Sequence, residues 1–184
     1  NTGAPTPLDQ LVAAGWAADS FSLCLDASGG GVLTLGGAGG HVTEGALRWA
    51  PIVNEDYYTV WMEDLLVAGE SLGVRAAEYN CGGAIVDSGT TDITRPRPAY
   101  RAFRSALRAG CRRAGNAGEA AGSMVGVGRD EHGRKLKKKK TMFHGHCFSL
   151  TPADFAAFPD LTVVLSGGVH LVVTPRHYLR GGPG

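Results

Sequence analysis

Glycine cuts this chain into short apolar segments, and that punctuation limits what it can fold into. Glycine-rich runs at 29–31, 36–40 and 167–168, among 28 glycines in 184 residues, separate brief stretches of Val, Leu, Ile and Thr. Such a pattern predicts a mainly β fold whose strands are joined by tight turns. The reading places strands at Ser20–Asp26, Val32–Gly36 and Ala46–Val53, a longer one at Tyr57–Val67, and a short, fully apolar one at Ala84–Val86. Leu161–Leu165 and Val169–Thr174 read as a last hairpin turning at Gly167 and Gly168.

Two segments have helical spacing instead. Residues 8–18 carry Leu8, Leu11, Val12 and Trp16 along one face, and Arg97–Arg113 carries Tyr100, Phe103, Ala106 and Leu107. The second begins beside Pro96 and Pro98, which suit a helix start. Between about 115 and 145 the pattern gives way to Gly, Ala and charge, ending in Lys135-Leu136-Lys137-Lys138-Lys139-Lys140. That stretch reads as a solvated, mobile insertion within one domain spanning residues 1–184. With 43% hydrophobic residues, such a domain has the apolar content for a real core.

Charge narrows the partners. Eighteen basic side chains against 17 acidic ones leave a net charge of +1, which gives no support for a nucleic-acid or membrane-surface partner. No apolar run approaches the roughly 18 residues of a membrane span. The opening Asn1-Thr2-Gly3 contains neither an initiator Met nor a signal peptide, so the chain reads as a fragment, and anchoring outside it is not excluded. Cys24, Cys81, Cys111 and Cys147 form no CxxC pair, and four cysteines allow three disulfide pairings.

The segment that carries chemistry is Gly82-Gly83-Ala84-Ile85-Val86-Asp87-Ser88-Gly89-Thr90-Thr91. An apolar strand delivers an aspartate into a glycine turn surrounded by hydroxyls. That places a carboxylate at the end of a buried strand, where N–H and O–H donors can hold it. A carboxylate so held suits acid–base work if a second lies beside it, because two carboxylates sharing a proton titrate apart.

Ile85-Val86 before this turn, Thr90-Thr91 after it and Pro96 beyond resemble the second active-site motif of the pepsin-like aspartic proteases. The resemblance continues through Phe21–Leu25, Val32–Gly37, Trp49-Ala50-Pro51-Ile52, Tyr57–Val60, Tyr100 to Phe103, Phe158–Leu161 and Pro175–Leu179, in the family's order. It implies an incomplete pepsin-like lobe, a six-stranded type of β barrel or sandwich with short helices, corresponding to the C-terminal half. It implies Asp87 as one of two catalytic aspartates activating a water against a peptide carbonyl, with Ser88, Gly89, Thr90 and Thr91 supporting the site. Peptide or protein is then the substrate, and the missing N-terminal lobe is the partner. No cofactor or metal is implied. A Cys111–Cys147 disulfide is implied across the lysine-rich insertion, with Cys24 left for a partner beyond Gly184. Disulfide use suggests the secretory pathway, outside the cell or in a vacuolar or lysosomal lumen. Arg95 stands where the family is usually apolar. The alternative is a relative that has lost the dyad and acts as a binding or inhibitor protein.

Other motifs weigh less. Gly69-Glu70-Ser71-Leu72-Gly73 matches a hydrolase nucleophile elbow, with Asp87 and His170 or His177 following in order. The elbow needs a helix directly after Ser71, and Val74–Asn80 is a poor one, so Ser71 reads as an exposed turn residue. Gly36–Gly40 lacks the Lys-Ser/Thr ending of a phosphate loop, and His144-x-His146-Cys147 lacks a distant fourth metal ligand.

Overall fold

The computed structural model describes residues 3–26, 29–37, 46–54, 57–90, 92–113, 124, 141–144 and 147–179. Two compact units divide at Arg48 and Trp49. In the first, α1 (Pro7–Ala13) starts from Thr6, whose hydroxyl accepts from the Asp9 N–H while the Asp9 carboxylate accepts from the Thr6 N–H. This reciprocal pair satisfies two backbone donors that an open helix start would leave unmade. The helix ends five residues before the expected Ala18, since Gly15 turns left-handed at φ +73° and Trp16 is exposed. Strands β1 (Phe21–Leu25) and β2 (Gly31–Leu35) form an antiparallel hairpin in the register Phe21↔Leu35 to Leu25↔Gly31.

The second unit holds two sheets and the main core. Strands β3 (Ile52–Asn54), β4 (Thr59–Val60) and β7 (Ala84–Ile85) form an antiparallel sheet in the order β3-β4-β7. Strands β5 (Met62–Val67), β6 (Glu70–Ser71), β8 (Leu161–Leu165) and β9 (Val169–Val173) form the larger one, ordered β6-β5-β8-β9. The fold is mainly β with a few short helices, as expected, but no closed barrel is formed among the described residues. The long strand expected at Tyr57–Val67 is broken at Trp61, so its two halves serve different sheets. Only Ile52 and Val53 of the strand expected at Ala46–Val53 are extended into pairing; residues 46–51 are not in a strand.

Helix α3 (Arg97–Arg113) matches its expected span and packs on β5. Ala99, Phe103, Leu107 and Cys111, spaced at four residues, are buried with Leu65, Val67, Tyr79, Phe158 and Leu161. Tyr100, expected on that face, is instead 37% exposed. Within the stretch read as an insertion, Met124 and Thr141 are buried, and Met142 and Phe143 pack against the same core. Positions 115–123, 125–140 and 145, including the lysine run, lie outside the described residues. Two further short helices, α4 (Pro152–Ala156) and α5 (Pro175–Tyr178), both start at proline; Thr151 and Asp154 cap α4 reciprocally. Among the described residues, no helix is long and apolar enough to cross a membrane.

The β8–β9 turn is demanding. Gly167 has φ +80°, and a Cβ there would sit 2.6 Å from the Trp49 carbonyl oxygen. Gly167→Ala combines left-handed strain with a backbone clash. It is expected to cost about 2 kcal/mol or more of stability in urea unfolding, in line with strained special-φ sites; an unchanged midpoint would show that the turn relaxes freely.

Candidate active site

Asp87 is delivered by β7. The pairs Thr59↔Ile85 and Val60↔Ala84, continued by the Val86 N–H donating to the Tyr58 carbonyl at 2.9 Å, carry the strand to the aspartate. The chain then turns over its own carboxylate. The Gly89 N–H donates to Asp87 Oδ1 at 2.8 Å and the Thr90 hydroxyl donates to Oδ2 at 2.5 Å. The Thr90 hydrogen bond, and after it the Gly89 N–H, hold the carboxyl below the usual carboxylate range. A Cβ at Gly89 would lie 3.2 Å from Asp87 Oδ1, so glycine lets the backbone approach closely.

One expectation needs correction. The delivering strand is not buried: Ile85 is 47% and Val86 57% exposed, and Asp87 to Thr90 are exposed too. Strand β7 is an edge strand that pairs only with β4 among the described residues, so nothing there covers its other side. Thr91 lies outside the described residues, and nothing is assigned to its side chain.

Asp87 and Thr90 line a depression of about 670 Å³, together with Tyr79, Cys81, Ile93 and Arg95. Aliphatic side chains of β5, β8 and β9 form much of the rest. An apolar depression with a few polar groups is the usual form of a ligand site. Arg95, noted in the sequence only as out of pattern, stacks its guanidinium 4.0 Å from the Phe103 ring centroid. Its Nη1 is buried without a hydrogen-bond partner among the described residues, and burial pulls its pKa below the ordinary arginine value.

Asn80 is a residue that pattern reading did not single out. Its side chain accepts from the Met62 N–H at 3.0 Å and donates to the Met62 carbonyl at 2.7 Å, standing in for a neighbouring strand at the start of β5. It also donates to the Ala76 carbonyl within α2 (Ala76–Tyr79). An amide with one acceptor and two donors matches this place, but single-sequence spacing carries no sign of it. Beside it, Tyr79 donates to Asp64 Oδ1 at 3.3 Å, and burial pushes its phenol up to about 12.

The competing motifs do not assemble. Ser71 ends a hairpin whose two turn residues, Ala68 and Gly69, both have positive φ, and its Oγ accepts from the Gly73 N–H at 3.0 Å. A four-residue gap separates it from α2, so no nucleophile elbow is built. His177 faces Thr174 at 3.0 Å across its own helix start. Among the described residues no three His, Cys, Asp or Glu side chains cluster as metal ligands; His146 is outside them.

The structure does not join Cys111 to Cys147. All four thiols are free, with Cys111 buried in the α3 core and Cys147 exposed. Burial pushes the Cys111 thiol up to about 11, which suppresses its thiolate. In native protein at pH 8, Cys24, Cys81 and Cys147 are expected to react with a thiol reagent while Cys111 reacts only on unfolding. Mass spectrometry that found Cys111 and Cys147 both blocked until reduction would contradict the free-thiol arrangement.

A family model described as eukaryotic aspartyl protease matches residues 2–180. Aspartic proteinase 39 of Arabidopsis thaliana is 30% identical over 174 residues, covering 94% of this chain and 31% of that protein. Gastricsin of Callithrix jacchus is 27% identical over 157 residues, covering 85% and 31%. Beta-secretase of Strongylocentrotus purpuratus is 37% identical over 79 residues, covering 43% and 15%. The chain therefore spans less than a third of the length of each of these relatives.

Proposed function

Because the chain belongs to the eukaryotic aspartyl protease family, we propose that it is the C-terminal lobe of an aspartic endopeptidase and that Asp87 is one of two catalytic carboxylates. The supporting observation is the turn itself, in which the Gly89 N–H and the Thr90 hydroxyl hold an accessible carboxylate in its ionised form beside an apolar depression. A second lobe would bring the partner aspartate. One water would sit between the two. The ionised carboxylate takes a proton from that water as its oxygen attacks the peptide carbonyl, while the protonated partner gives its proton to the carbonyl oxygen. Collapse of the tetrahedral species then sends a proton to the departing nitrogen, and the carbon–nitrogen bond breaks.

Each residue has a part in this scheme. Thr90 and Gly89 keep Asp87 ionised, and Ser88 completes the turn around it. The apolar lining of the depression receives side chains of a peptide substrate. With one carboxylate and half a cleft, the 184-residue chain is inactive alone. An ionised carboxylate at low pH suits an acidic lumen, so we assign the protein to the secretory or lysosomal and vacuolar route.

The test is cleavage of an unfolded protein substrate between pH 3 and 7, with this chain and with the full-length gene product. Pepstatin-sensitive cleavage by the full-length protein and none by this chain is expected. Cleavage by this chain alone would mean that two copies rebuild a pair, and an inactive full-length protein would mean a binding role. Thr90→Val removes the principal donor to Asp87. Losing a hydrogen bond that favours the charged form raises the carboxyl pKa, so the acidic limb of the full-length pH–rate profile is expected to move to higher pH. An unmoved limb would show that Thr90 does not tune the pair.

A further inference from the structure

We propose that Arg95 is a specificity residue of the Asp87 depression and takes the carboxylate of a glutamate or aspartate side chain of the peptide substrate. The proposal rests on the reading of Asp87 as a catalytic aspartate, whose depression Arg95 shares. Arginine is rarely buried unless its charge is paired. Arg95 nonetheless stands in a lining made mostly of aliphatic side chains, Val163, Leu165 and Val173 among them. Its Nη1 is buried with no hydrogen-bond partner among the described residues.

No carboxylate of the fold answers that charge. Asp87 and Asp92 line the same depression, yet neither comes within ion-pair distance of Arg95. Asp87 is already engaged by the Gly89 N–H and the Thr90 hydroxyl. What holds Arg95 is Phe103, a buried residue of α3 whose ring centroid lies 4.0 Å from the guanidinium carbon. Stacking occupies one flat face of the group and limits its motion, while the N–H fork lies in the plane. The cation is thus fixed in place with a donor unmet, and a buried donor left unmet is costly.

The donors select the occupant. A carboxylate accepts two parallel N–H bonds from one guanidinium, and apolar walls strengthen that pairing. The same walls suit the methylene groups that lead to the carboxylate. Glutamine has nearly the same size, but it carries no charge and sets N–H donors against those of the arginine. Leucine leaves Nη1 unmet.

The test uses internally quenched peptides that carry Glu, Gln or Leu at each position around the scissile bond in turn, with the full-length protein. At one position glutamate is expected to exceed glutamine by about tenfold or more in kcat/KM. Arg95→Met keeps an apolar stem over Phe103 and is expected to bring that ratio to within about twofold. Arg95→Lys, a point charge without the fork, is expected to keep a reduced preference, and it carries the test if the methionine variant does not fold. Cleavage with no preference for glutamate over glutamine at any position would overturn the proposal and leave the role of Asp87 standing. A preference undiminished in the folded variants would overturn it too. If no peptide is cleaved, the catalytic reading falls, and binding of the same glutamate and glutamine peptides to the full-length protein decides. Tighter binding of the glutamate peptide that Arg95→Met erases supports an acid-binding Arg95, and equal binding overturns it.

Discussion

Asparagine at Asp87 is expected to lower kcat of the full-length protein by about four orders of magnitude, the scale seen when one member of a concerted catalytic unit is removed. Asparagine keeps the size of aspartate and a carbonyl oxygen able to accept from the Gly89 N–H. It cannot ionise, so it can neither take a proton from water nor share one with a partner carboxylate. The loss therefore belongs to kcat, with KM changing little, because the depression that would receive substrate side chains is left as it was. The measurement is steady-state cleavage by wild type and D87N at matched folded fraction. A D87N enzyme retaining a tenth of its activity would remove Asp87 from the chemistry. Glutamate at the same place is expected to fail nearly as badly, since a longer side chain displaces the carboxylate from the Gly89 and Thr90 donors.

Leu107→Ala carries the largest expected effect on stability. Leu107 is fully buried on the inner face of α3, within the cluster that joins the helix to β5 and β8. Truncation removes three heavy atoms' worth of burial and leaves a cavity that a strand-backed site cannot close, so about 3 kcal/mol or more is expected to be lost. Against a typical total of about 5–15 kcal/mol, that is a large fraction. Leu107→Met preserves volume and is expected to cost about 1 kcal/mol or less. Urea unfolding followed by far-ultraviolet circular dichroism reads both. An alanine variant within about 1 kcal/mol of wild type would show that α3 is not fastened to the sheet as described.

The parts of the fold with strong local signals were legible in the sequence. The α3 span follows from apolar spacing and two prolines. The β8–β9 hairpin follows from alternating Val and Leu around a glycine pair, and the Asp87 turn from an apolar strand meeting Ser-Gly-Thr. Pairing between distant segments was not legible. Trp61 breaks one apolar run into β4 and β5 because its flanks answer to different neighbouring strands, and periodicity within the run is the same either way. The exposure of Ile85 and Val86 was misread for a related reason. An apolar run reads as buried unless one knows that its strand stands at an edge. Tyr100 was placed with the core by spacing alone, although Ala99, one position back, takes the inner place. Asn80 illustrates a third limit, since its value lies in matching a backbone 18 residues away. At the candidate site, the aspartate and its two donors were visible because they are local, whereas Tyr79, Cys81 and Arg95 join them only through the fold.

The central claim is that Asp87 is one half of a proton-sharing pair, and its titration tests this most directly. Carbon-13 NMR of the Asp87 carboxyl, assigned with D87N, would be followed against pH in this chain and in the full-length protein. The account predicts a single step below the usual carboxylate range in this chain, from the Thr90 and Gly89 hydrogen bonds, and two coupled steps pushed apart in the full-length protein. The same single step in both would contradict it, because Asp87 would then have no carboxylate partner.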